Sequence, residues 1–217
     1  MEFYHTLENI KNTFLKFINK IPFYGSAILC LDDPNIQSII PSVEKRYITY
    51  GLSSQADYTA RYISIEGLKT YFNVFCRGKD LGRIRSGALG RHNVLNTLAA
   101  VAVGMELDID FKIIANSLLK FEGVQRRFEI VKESDEFTLI DDYGHHPAEI
   151  KACLKTAKEV WPTRRLIVIF QPHRYSRTKA LMKDFWSAFN DADHLFVMDI
   201  YSAGENPIDK VHASSIV

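Results

Sequence analysis

Three apolar runs in the second half of the chain constrain its fold most: FTLID (137–141), RLIVIFQ (165–171) and HLFVMDI (194–200). The stretches between them, Ala148–Val160 and Lys179–Phe189, carry helical spacing. Strands that alternate with helices predict an α/β unit with a parallel sheet and right-handed crossovers, because a parallel neighbour can be reached only by a long return connection. Each run also exits into a polar cluster. LID enters DYGHHP (142–147), VIF enters QPHRYSRT (171–178), and VMD enters IYSAGENP (200–207). In open parallel sheets ligands bind beyond the carboxyl ends of the strands. Three polar clusters at equivalent strand exits are therefore expected to share one edge.

The first half reads differently. A helix is predicted over residues 6–21, with Thr6 as N-cap and Leu7, Ile10, Phe14, Phe17, Ile18 and Ile21 on one face. SAILCL (26–31) is a buried strand, Asp32-Asp33-Pro34 starts a short helix, and RYITYGL is a further strand. Residues 56–86 alternate polar and apolar, with turn residues at Glu66-Gly67 and Arg77-Gly78, as in an antiparallel meander. GRHNVLNTLAAVAVGMEL and IDFKIIANSLLKF read as helices. A boundary near residues 120–126 divides the chain into domains 1–122 and 123–217. The second contains three strong strands and stops at HASSIV, which reads as the first turn of another helix. A sheet ending there has an unpaired edge and an uncovered face, so truncation at the C-terminus is expected.

The net charge of +1 provides no bulk field for nucleic acid, and no apolar run reaches the ~18 residues of a membrane span. Three cysteines, Cys30, Cys76 and Cys153, are too few and too dispersed for a disulfide framework, which favours a reducing cytosol. Neither nucleic acid nor membrane is expected as a partner, and oligomeric state is not legible.

DYGHHP admits three readings. It is a strand exit with an Asp or His at the start of the Pro147 helix, a metal site, or a phosphate-handling loop. Adjacent His145 and His146 do not readily point at one ion, and no His-x-x-x-His spacing is nearby. A phosphate suits Gly144, which permits close backbone approach, and a helix start with free N–H groups. Asp142 is then placed for a ribose hydroxyl or a metal-bound water, and His145 for a phosphate oxygen. In QPHRYSRT, His173, Arg174 and Arg177 precede a helix, where positive charge opposes the helix dipole. That arrangement is either a solvated helix start or a cluster that meets a carboxylate or phosphate. In GRHNVLN, His92 or Asn93 caps the helix, or His92 and Asn96, one turn apart, flank a flat base. In VQRRFE, Arg126 or Arg127 is linker charge or reaches a phosphate in a cleft between the units.

Taken in order, GRHNVLNTLAAVAV, QRRFE, DDYGHHPAEI, FQPHRYSRT and YSAGENPI resemble the Mur ligase family, as does IPFYGSAILCLDDP. The resemblance implies part of a central ATPase domain followed by a truncated Rossmann-like C-terminal ligase domain. It implies ATP- and Mg²⁺-dependent amide formation, with UDP-N-acetylmuramate and L-alanine as substrates, in the cytoplasmic stage of peptidoglycan synthesis. His92 and Asn96 would hold the adenine, Arg127 the ATP phosphates, and Asp142 and His145 the ribose and γ-phosphate. His173, Arg174, Arg177 and Tyr143 would face the sugar carboxylate or the incoming amino acid. His145, Arg174 and Arg177 are the expected catalytic groups, with no metal ligand expected in this chain. No G-x-x-x-x-G-K-[ST] occurs, and CRGKD (76–80) reads as a turn. The family's phosphate loop, metal ligands and UDP-binding domain would then precede Met1, and the fragment alone would be inactive. The alternatives are another ligase of the family, of recycled-peptide or folylpolyglutamate type, or a non-catalytic fragment that binds nucleotide weakly.

Overall fold

A computed structural model describes Tyr4, residues 6–121 and residues 123–216. The chain divides into two compact units, Met1–Glu122 and Gly123–Val217.

The first unit opens with α1 (Leu7–Ile18), capped by the Thr6 hydroxyl, which accepts from Asn9 N at 3.2 Å. Strand β1 (Ala27–Cys30) leads into α2 (Pro34–Ile39), whose N-cap Asp33 accepts from Asn35 N and Ile36 N. Pro34 at the first helical position loses nothing, since that N–H has no intrahelical partner. Strands β2 (Tyr47–Gly51), β3 (Tyr58–Glu66), β4 (Lys69–Cys76) and β5 (Lys79–Ser86) complete a five-stranded sheet in the order β1-β2-β3-β4-β5. The first two pairings are parallel and the last two antiparallel, so the meander expected over 56–86 is an extension of a parallel start. CRGKD is the β4–β5 turn, where Arg77 and Gly78 both have positive φ. On the covered face, Phe72, Val74 and Ile84 pack with Leu98, Val101 and Ala102, all fully buried, and with Ile114. These last four come from α3 (Arg91–Glu106) and α4 (Phe111–Lys120). Gly104 sits where α3 meets α4; a Cβ there would lie 2.6 Å from Ile114 Cδ1.

In the second unit, β6 (Glu129–Glu133) pairs antiparallel with β7 (Thr138–Asp141), and β8 (Ile167–Phe170) pairs parallel with β9 (His194–Val197). The parallel pairing is present, but the expectation of one sheet through all three runs is corrected: β6-β7 and β8-β9 are separate sheets among the described residues. β7 takes its hydrogen-bonded partner from the segment just before it, which no apolar run announces. EIVKE is charged at three of its five positions and mostly exposed, so it does not stand out as apolar, yet it pairs with β7. Helix α5 (Pro147–Val160) connects β7 to β8. The helix expected at Lys179–Phe189 begins earlier and is broken, as α6 (Tyr175–Ala180) and α7 (Met182–Phe185). Phe185, Phe170 and Phe189 pack with Ile150 and Leu154 of α5 to form this unit's core. HASSIV contains a single 3-10 turn, Ala213–Ser215.

Candidate functional site

The three strand-exit clusters of the second unit come together, although β7 and the β8-β9 pair belong to separate sheets. The backbone stitches two of them directly: Tyr201 N donates to Pro172 O at 2.8 Å, and Arg174 N donates to Tyr201 O at 2.8 Å. His173 and Tyr201 form a parallel bridge that prolongs the β8–β9 ladder, with ring centroids 5.0 Å apart. The third cluster joins through His145, whose ring lies 6.5 Å from that of His173. His145, His173, Arg174 and Tyr201 thus form one continuous group, as the placement of three polar loops at strand exits requires.

Within DYGHHP, the Asp142 carboxylate accepts from Phe128 N at 2.8 Å and from Gly144 N at 2.7 Å. It closes the turn after β7 and ties it to the segment before β6. A side chain at 144 would collide with this carboxylate, since a Cβ there would lie 2.7 Å from Asp142 Oδ1. The Cys153 thiol beside it is pushed up to about 12, first by burial and then by the Asp142 charge. Tyr143 lies under two guanidinium groups, Arg126 at 5.0 Å and Arg127 at 5.9 Å from the ring centroid. Arg126 also pairs with Asp141 at 3.2 Å.

Glu149 was not identified from sequence. It accepts from His145 N and His146 N, both at 3.1 Å, and pairs with Arg127 Nη1 at 3.3 Å. Its Oε2 is 3.9 Å from His145 Nδ1. Burial alone would raise its carboxyl, but the two N–H groups, then His145 and Arg127, outweigh that and hold it below the ordinary range. The helix start is a capping box: the His146 ring accepts from Ala148 N, and Glu149 is its N3 partner. The x-x-Glu spacing before Pro147's helix was the available signal, obscured because His replaces the usual Ser or Thr. Glu149 therefore links Arg127 and His145, two residues singled out for phosphate.

The cationic start of α6 has an internal anion. Glu205 accepts from Ser176 N at 3.0 Å and from Ser176 Oγ at 2.7 Å, and lies 3.7 Å from Arg174 Nε. These two bonds from Ser176 hold its carboxyl below the ordinary value. No local pattern could reveal this, since the partners are 29 positions apart. Arg174 itself has φ 74° and ψ 134°, a conformation that suits glycine, and its carbonyl accepts from Thr178 N and Thr178 Oγ1. His173 Nδ1 is buried without a protein hydrogen-bond partner. Burial first, then Arg177, His145 and Arg174, lower the His173 pKa, which favours the neutral ring.

His92 and Asn96 lie on α3 of the first unit, one turn apart as expected. The expected cap is corrected: Gly90, at φ 91°, is the N-cap, and Asn93 instead donates from Nδ2 to Leu89 O at 2.7 Å. Asn93 Oδ1 accepts from Asn96 Nδ2 at 3.1 Å, which orients the Asn96 amide. Among the described residues, no three His, Cys, Asp or Glu side chains are grouped to hold a metal ion, and no helix is long and apolar enough to cross a membrane.

Two family models match in order along the chain: the Mur ligase middle domain over residues 1–104, and the Mur ligase glutamate ligase domain over residues 126–217. A UDP-N-acetylmuramate–L-alanine ligase of Syntrophotalea carbinolica is 55% identical over 98% of this chain and 46% of its own length. The chain thus spans about half the length of the curated relatives it matches. The crystal structure of a UDP-N-acetylmuramate-alanine ligase from Thermotoga maritima is similar with a TM-score of 0.73 at 29% identity, covering 92% of this chain and 43% of that one. A MurF ligase from Thermotoga maritima in complex with ADP shares the fold, at TM-score 0.74 and 18% identity, over 90% of this chain and 45% of that one. Two domain models in their proper order, converging strand exits and these likenesses agree: the chain belongs to the Mur ligase family.

Proposed function

We propose that this chain comprises the later part of the central ATP-binding domain (1–122) and the start of the C-terminal ligase domain (123–217) of a UDP-N-acetylmuramate–L-alanine ligase. In the longer protein its residues would serve ATP- and Mg²⁺-dependent amide formation in the cytoplasm, for peptidoglycan synthesis. The observation that carries this reading is the convergence of His145, His173 and Arg174 beyond the ends of β7 and β8, joined with 55% identity to a ligase of that name.

The donor set fits a phosphorylated substrate. Arg127 is half exposed, stands on Tyr143 and is held by Glu149, so its planar fork is oriented before any ligand arrives. His145 Nδ1 faces the Tyr143 carbonyl at 3.0 Å, which assigns the proton to Nδ1 and leaves Nε2 to meet a ligand. Arg174 and Arg177 supply positive charge for a carboxylate that becomes an acyl phosphate, and for the oxyanion formed when the amine attacks it. Tyr143 and a neutral His173 belong to the same cluster and can orient the sugar carboxylate or the amino acid. In this reading Asp142, besides closing its turn, would serve the ribose hydroxyl, and His92 and Asn96 the adenine. ATP supplies the phosphoryl group, and Mg²⁺ would neutralise its charge.

The test is a hybrid enzyme. This chain replaces the matching portion of the Syntrophotalea carbinolica ligase, and phosphate release is measured with ATP, UDP-N-acetylmuramate and a panel of amino acids. L-Alanine should support turnover and a diamino acid should not; preference for the diamino acid, or for a peptide, rejects the substrate assignment. Arg174→Ala in the hybrid should raise KM or lower kcat with the fold intact. The 217-residue chain alone, which contains no G-x-x-x-x-G-K-[ST], should give no turnover in the same assay.

A further inference from the structure

We propose that Glu205 is a positioning residue: it holds the Arg174 guanidinium by its Nε edge and presents the remaining nitrogens to an anionic ligand. This rests on the reading of Arg174 as an anion-binding group.

The geometry begins with the turn. Ala203 and Gly204 have φ of 49° and 86°, and Glu205 N donates to Ser202 O at 3.0 Å. This left-handed pair reverses the chain after β9 and returns the Glu205 side chain beneath the start of α6. There the carboxylate is fixed at two points by Ser176, N–H and hydroxyl, before it touches any cation. A carboxylate anchored in this way is a rigid support, whereas a free glutamate would pay side-chain entropy to hold a partner. Arg174 approaches that support through Nε at 3.7 Å. Its backbone is already immobile, held by Tyr201 and Thr178 in a conformation costly for an L-residue. The long side chain is the remaining freedom, and Glu205 restricts it. An arginine held by Nε keeps its two terminal nitrogens as a fork for a carboxylate or phosphate. The half-exposed arginine, at 44% side-chain exposure, is then both accessible and pre-oriented.

A Glu205 that merely competed with the ligand would act in the opposite direction, because neutralising a competitor tightens binding. The experiment uses the 217-residue chain, with inorganic phosphate as probe. NMR follows the Arg174 Nε–H resonance, assigned by its loss in Arg174→Ala. In Glu205→Gln, which retains an acceptor for Ser176, solvent exchange of this proton should accelerate and phosphate affinity should fall about tenfold. Glu205→Asp, with its charge restored, should recover part of the affinity. Unchanged exchange of the Nε proton, or equal or tighter phosphate binding by Glu205→Gln, overturns the proposal. If Arg174→Ala binds phosphate as well as the unaltered chain does, it is the anion-binding reading of Arg174 that fails, and the exchange comparison still decides whether Glu205 holds it.

Discussion

Arg174 is the residue at which function and stability should conflict most visibly. Its φ of 74° with ψ of 134° is a conformation that only glycine adopts without penalty. Replacing it with alanine removes the guanidinium and keeps the strain; replacing it with glycine removes both. The strain is worth about 1–3 kcal/mol, and glycine's extra freedom in the unfolded chain returns roughly 0.5–1 kcal/mol of it. The exposed ion pair with Glu205 is lost in both variants and cancels from the comparison. Arg174→Gly should therefore be more stable than Arg174→Ala by about 1 kcal/mol. For a unit the size of Gly123–Val217 that corresponds to roughly 4–8 °C in Tm. Thermal unfolding followed by circular dichroism measures the difference, and phosphate titration should show that neither variant binds. An alanine variant as stable as the glycine variant would refute the assigned backbone conformation, and with it the idea that this loop stores strain to aim a cation.

Other expectations follow from single contacts. Glu149→Ala removes the N3 partner of the α5 capping box and should cost about 1–2 kcal/mol in unfolding experiments, while Glu149→Gln, which still accepts at the helix start, should cost less. Hydrogen exchange at His145 N and His146 N should accelerate in the alanine variant. Gly104→Ala drives a methyl toward Ile114 Cδ1 and should destabilise the chain by about 1–3 kcal/mol, with partial recovery in combination with Ile114→Val. Stability should also rise with pH on the acid side. Glu149 and Glu205 have folded pKa values below the ordinary 4.5, so the unfolded chain takes up protons first. What they contribute is present above pH 4.5 and lost as pH falls through their folded values. His173, lowered from 6.5, acts in the same direction from pH 6.5 downward, because the unfolded imidazole charges first. Tm measured against pH should show this slope, and Glu149→Gln should flatten its acid limb.

Much of the architecture was legible because it depends on local pattern. The Thr6 cap, the helix start at Asp32-Asp33-Pro34, the meander with its Arg77-Gly78 turn, and the parallel runs at 167–170 and 194–197 each follow from spacing and composition over a few residues. The polar strand exits were legible for the same reason, and the rule that ligands bind beyond strand ends brought them together before any coordinates did. Two features escaped because they depend on partners remote in sequence. Strand β6 offers only Ile130 and Val131 among charged residues and is defined by its ladder with β7. Glu205 neutralises a helix start 29 positions earlier, and no pattern near either residue shows it. Local sequence alone fixes which side chains are polar at the strand exits and which elements carry them. Only folding brought two of the exposed arginines against carboxylates that also accept at a helix start, Arg127 with Glu149 and Arg174 with Glu205. The reason is range: periodicity and capping act within a turn or two of chain, whereas charge pairing acts through space and becomes specific only once folding has brought distant segments within a few ångströms.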